Sequence, residues 1–110
     1  MNNDEINNKI EYLMNYYLDL QDYIERFSFP RIDYYYLLKN ISKFYEVLNK
    51  AKYYLDNNEK EKALTLLPQK IEFTNNIYQN TVIIKYALDY IDNILKKDKE
   101  YEKAKKEEFN

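Results

Sequence analysis

The sequence predicts an all-α protein, most simply an antiparallel four-helix bundle. Apolar residues recur at alternating spacings of three and four along most of the 110 residues, a period that an alternating strand cannot produce. Glycine is absent, so the tight primed turns of β-hairpins are disfavoured. The stripes are also interrupted at places that favour breaks: Pro30, the run Asp56-Asn57-Asn58, and Pro68.

The first helix is expected from Asp4 to Phe27. Its stripe is Ile6, Ile10, Leu13, Tyr17, Leu20, Ile24 and Phe27. Asp4 and Glu5 suit the positive helix start, and Arg26 suits the negative end. Ser28-Phe29-Pro30 breaks the pattern, and proline is tolerated in a first helical turn but not in an interior.

A second helix therefore starts near Pro30. Its stripe is Tyr34, Leu37, Ile41, Phe44, Leu48, Ala51 and Leu55. Three adjacent tyrosines open it, and no helix points three neighbours one way. Tyr34 lies on the stripe. Tyr35 and Tyr36 lie about 100° and 200° further round, so they should meet a third element, a partner or water.

Asn58 and Glu61 have capping-box spacing for a third helix, whose stripe is Leu64, Leu67, Ile71, Thr74 and Tyr78. Pro68 would clash with the Leu64 carbonyl, which predicts a kink or a split there. Residues 74–81 read either as a turn or as polar helix. The fourth helix is expected over Thr81–Lys97, with Ile77, Thr81, Ile84, Leu88, Ile91 and Leu95 on one stripe. A second stripe, Ile83, Ala87, Tyr90 and Ile94, widens its apolar face to roughly 200°, which places this helix centrally. Residues 1–97 thus form one helical-bundle domain, and 98–110 form a charged helical extension or tail. The alternative is a three-helix bundle whose third helix is one kinked rod over 59–97. That rod would be roughly 58 Å long, too long for the others to cover without dimerisation.

Residues 51–67 resemble one tetratricopeptide-type hairpin, with Ala51, Tyr54, Ala63 and Leu67 at its small and large apolar positions. No second copy follows at a period of about 34 residues, and no binding role is carried over.

Composition narrows function mainly by exclusion. Histidine and cysteine are both absent, which removes the commonest base, the commonest metal ligand, thiolate sites and disulfides. A catalytic triad is excluded. Asp19 with Asp22, and Asp89 with Asp92, lie one turn apart, but a di-metal site would want inward acids and histidines. No cofactor, metal or catalytic residue is implied. The start of the chain does not read as a signal peptide, and no run approaches a membrane span, so a cytoplasmic protein is expected.

Charge and tyrosines point to surfaces. The net charge is −2, which argues against direct nucleic-acid binding. Residues 1–33 hold seven acids against three bases, leaving −4. The 14 tyrosines match A/T-rich codon bias as well as binding, since tyrosine brings contact area at low entropic cost.

Three functions follow as expectations. The first is a non-catalytic protein–protein interaction module, an adaptor or inhibitor, using the outer tyrosines Tyr12, Tyr35 and Tyr36. The second is an inhibitor of a nucleic-acid-binding machine, such as a phage or mobile-element anti-defence protein, presenting the acids Asp19, Asp22 and Glu25. The third is a nucleic-acid-binding small subunit using Lys39, Lys43, Lys50 and the C-terminal lysines. The partner in the first two is another protein, and sustained heptads also allow a homodimer.

Overall fold

The first, second and fourth of the stripes become helices, and the third does so only at its start. The computed structural model describes residues 1–27 and 29–109, so Ser28 of the expected first break lies outside the described residues. The helices are α1 (Asn3–Arg26), α2 (Arg31–Asn40), α3 (Ser42–Asp56), α4 (Lys60–Leu66) and α5 (Ile77–Phe109). Among the described residues there is no strand.

Local chemistry sets the ends. The Asn2 side chain accepts a 2.8 Å hydrogen bond from the Glu5 amide and so caps α1. Six of the seven expected stripe residues of α1 are buried: Ile6, Ile10, Leu13, Tyr17, Leu20 and Ile24. Phe27, just past the helix, is exposed and instead lies against Tyr23. The expected second helix is split at Ile41, which keeps right-handed helical angles, so α2 and α3 act as one bent rod. Leu37, Ile41, Phe44, Leu48, Ala51 and Leu55 are buried as the stripe requires, and Tyr34 is half-buried against them.

Asn58 plays a different part from the expected N-cap. It takes φ 61°, the left-handed conformation that ends helices, and so terminates α3. Asparagine tolerates that conformation better than most residues, and this chain has no glycine to place there. The Glu59 amide then donates to the Tyr54 carbonyl at 2.8 Å, and α4 begins without a side-chain cap.

The third rod departs most from expectation. Pro68 disfavours helical angles at Leu67, which sits at φ −70°, ψ 116°. The helix does not restart after the proline. Residues 67–76 are non-helical, and two hydroxyls from α1 take up the carbonyls that a helix would have used. Tyr17 donates to the Gln69 carbonyl at 2.7 Å, and Tyr16 donates to that of Ile71. Carbonyls two residues apart aimed at one neighbour are the signature of extended chain. The end of this segment is a turn. The Asn76 side chain accepts from the Tyr78 and Gln79 amides and starts α5, while buried Asn80 bonds Thr74 and the Tyr23 hydroxyl.

These elements form an up-down-up-down bundle of four rods: α1, the bent α2–α3, α4 with its extended continuation, and α5. Tyr17 of α1 stacks on Phe44 of α3 with ring centroids 4.2 Å apart. The extended segment follows α1 in the same direction, ending with Tyr23 stacked on Phe73. Along α5, cross-links follow α2 and α3 in step: Lys85 to Asp33, Asp89 to Tyr36, Asp92 to Lys43, Asp98 to Lys50 and Lys105 to Glu59. The central element is α3, which packs against α1, α2, α4 and α5. That corrects the expectation that the last helix is central. Its main stripe (Thr81, Ile84, Leu88, Ile91 and Leu95) is buried, but much of its second stripe is not. The result is a slab of 49 × 29 × 16 Å whose long axis is set by the 33 residues of α5. Among the described residues no helix is long and apolar enough to cross a membrane.

Candidate functional site

An extended chain is thinner than a helix. Where the third rod changes from one to the other, a groove opens along α5. One wall is Pro68–Glu72. The other is Ile83, Tyr86, Ala87, Tyr90 and Ile91 of α5, and Phe44 of α3 also lines it. Its volume is about 470 Å³. The α5 wall continues onto an open helix face. Tyr78, Val82, Tyr86 and Tyr90 recur every fourth residue, so they share one side of the helix. They are 68, 65, 78 and 56 % exposed. Four adjoining large side chains make a patch, unlike an isolated exposed apolar residue.

The other half of α5 is held on its inner face by charge. Asp98 is fully buried, although the charged run around it reads as solvated. It accepts from Lys50 at 2.7 Å and from the Tyr54 hydroxyl at 2.7 Å, with the Lys62 ammonium 3.6 Å away. Burial alone would raise its carboxyl, but the hydrogen bonds and charges of Lys50, Tyr54 and Lys62 outweigh that and hold it below the usual range. Conversely, burial and then the Asp98 carboxylate push the Tyr54 phenol far up. Glu102 turns inward to Lys50 and Tyr54 rather than pairing along its own helix with Lys106. This cluster fastens α5 to α3 and α4.

The expected contact residues do not converge. Tyr12 is exposed on α1 and lines a smaller cleft, about 390 Å³, on the other side of the extended segment, with Lys9, Leu64 and Lys70. Tyr35 is exposed on α2 with the Arg31 guanidinium 6.0 Å from its ring. Tyr36 is turned toward α5, where it donates to Asp89 at 3.3 Å under the Lys85 ammonium. Asp89 and Asp92 thus serve a tyrosine hydroxyl and a lysine. Asp19, Asp22 and Glu25 are exposed on α1 and, among the described residues, make no ion pair, while Asp33, Glu59, Asp92, Asp98 and Glu102 all do. Asp19 and Asp22 lie near Tyr45, whose buried hydroxyl has no partner among the described residues and whose phenol is raised by burial and by those two charges. Lys43 and Lys50 are held in ion pairs with α5, leaving Lys39 exposed.

Sequence reasoning missed Tyr78, Val82 and Tyr90 as one row with Tyr86. Their four-residue spacing was the available signal, but a wide apolar helix face reads first as core. Comparison with protein-family models, with curated proteins and with solved structures finds no match to this chain.

Proposed function

We propose that this protein is a non-catalytic protein–protein interaction module, an adaptor or inhibitor, and that its contact surface is the open face of α5 with the groove beside it. One observation carries this reading: Tyr78, Val82, Tyr86 and Tyr90 form a continuous exposed row on a helix whose opposite side is fully packed. Tyrosine in such a row supplies large contact area and a polar tip, and binding energy concentrates in such residues. A photo-crosslinking phenylalanine at position 86, expressed in the native host, tests it. The expected result is a discrete crosslinked partner from position 86 and none from position 53, where Tyr53 is also exposed, on α3. Equal yields from both positions would count against a dedicated face.

A second reading has its own support. Asp19, Asp22 and Glu25 recur every third residue on the exposed side of α1 and make no ion pair among the described residues, so they suit an inhibitor that meets a basic, nucleic-acid-binding partner. Such binding would weaken with salt and fail on charge reversal at these positions. The nucleic-acid-binding alternative has less support, since Lys43 and Lys50 are already neutralised by α5.

A further inference from the structure

We propose that the groove beside α5 takes one extended peptide strand of a partner protein, paired with the free edge of residues 70–72 and carrying a base, an apolar residue and an acid in that order. This rests on reading the α5 face as a protein-binding surface and names what fills its groove.

The carbonyls of Gln69 and Ile71 point to α1, where Tyr17 and Tyr16 donate to them. In extended chain, the polar groups of alternate residues face opposite edges. On that alternation the N–H and C=O of Lys70 and Glu72 fall on the edge away from α1, and both residues line the groove beside α5 as well as the cleft beside α1. Among the described residues they make no hydrogen bond to main chain or side chain. A short strand edge with unpaired groups is a template for a further strand, and beside it lies a groove with apolar and tyrosine walls. A bound helix would satisfy its own backbone and leave this edge unused.

The side chains give the sequence pattern. Lys70 and Glu72 are exposed, Ile71 between them is buried, and neither charge is in an ion pair among the described residues. The Lys70 ammonium rests 5.4 Å from the Tyr16 ring. In an antiparallel partner, the residue opposite Ile71 points inward toward Phe44 and Ile91, and its neighbours face outward opposite Lys70 and Glu72. Opposite charges across the pair require an acid facing Lys70 and a base facing Glu72. Read from its own N-terminus, the partner strand is then base, apolar, acid.

This chain's own residues 67–75, LPQKIEFTN, carry that pattern at Lys70-Ile71-Glu72 and supply the probe. The synthetic nonapeptide is titrated into the isotope-labelled full chain and followed by amide NMR. The Lys70 and Glu72 amides should shift and exchange with water at least about tenfold more slowly, while those of Gln69 and Ile71 stay put. A peptide with its two charges exchanged, LPQEIKFTN, should bind about fivefold more weakly. The double variant Lys70→Glu/Glu72→Lys changes only exposed side chains, and it should reverse that preference. No shift at about 1 mM peptide, equal binding of the two peptides, or shifts confined to the outer face of α1 would each overturn the proposal. So would a peptide that becomes helical on binding. A crosslink from position 86 alongside any of those results would keep the binding face and remove only the extended occupant.

Discussion

Helix α5 has two halves with opposite fates. From Asp92 onward it is fastened to its neighbours by charge: Lys43 on Asp92, Lys50 and Tyr54 on Asp98, Lys105 on Glu59. From Tyr78 to Tyr90 its outer side is apolar and uncovered. The difference follows the third rod. Where that rod is the helix α4, its side chains reach α5, as Lys62 does toward Asp98 and the Tyr101 ring. Where the rod is extended chain, it reaches α1 through tyrosine hydroxyls and leaves α5 bare on that side. A single proline thus separates a half of the bundle fastened by ion pairs from one that carries an open groove.

The contrast can be tested first at the charge-fastened half, where effects are largest. Asp98→Ala strands the partly buried Lys50 and the buried Tyr54 hydroxyl, and should cost about 3 kcal/mol in urea unfolding. A cost below about 1 kcal/mol would make the cluster an ordinary surface group. Acid titration sharpens this. The folded state holds the Asp98 carboxyl below its usual value, so its contribution is complete above about pH 3.9 and fades as pH falls through the lower folded value. Lys50, raised by its hydrogen bond to Asp98, and Tyr54, raised by burial, contribute fully below about pH 10 and lose that contribution above it. Asp98→Asn should therefore flatten the acid limb of the stability profile, and an unchanged limb would contradict the assignment.

Effects at the open half should be smaller and more local. Tyr16→Phe removes the donor to the Ile71 carbonyl and should cost about 1 kcal/mol. Hydrogen exchange should speed up in residues 69–73 without change in α3. Uniform acceleration across the chain would mean that the segment does not open independently. Smallest of all, Val82→Glu should change stability by less than about 0.5 kcal/mol, because the side chain is mostly in water, yet it should abolish the crosslink from position 86. A large loss of stability would instead show that this face is covered.

The helical rods were legible because their stripes are dense. Ile6 to Ile24 in α1 and Leu37 to Leu55 in α2–α3 alternate spacing without interruption, and burial follows them. Asn58 and residues 67–76 were not legible, for a common reason. Each depends on a choice between near-equal local states that distant atoms decide. Ile71 has helical spacing from Leu64 and Leu67, but the hydroxyls that capture the extended alternative come from α1, some fifty residues earlier. Asp98 was hidden by composition: a lysine- and acid-rich run looks solvated, and only the approach of Lys50, Tyr54 and Lys62 makes burial tolerable. The groove inherits this difficulty, since its wall exists only because the third rod is not helix.

The conformation of that wall is therefore the decisive quantity. Carbon-13 secondary shifts of Gln69 to Phe73 in the free protein measure it directly. Upfield Cα values typical of extended chain, beside helical values over Lys60–Leu66 and Ile77–Phe109, are expected. Helical values running unbroken from Lys60 through Asn80 would fill the space along α5 with a fourth full helix and remove the groove altogether.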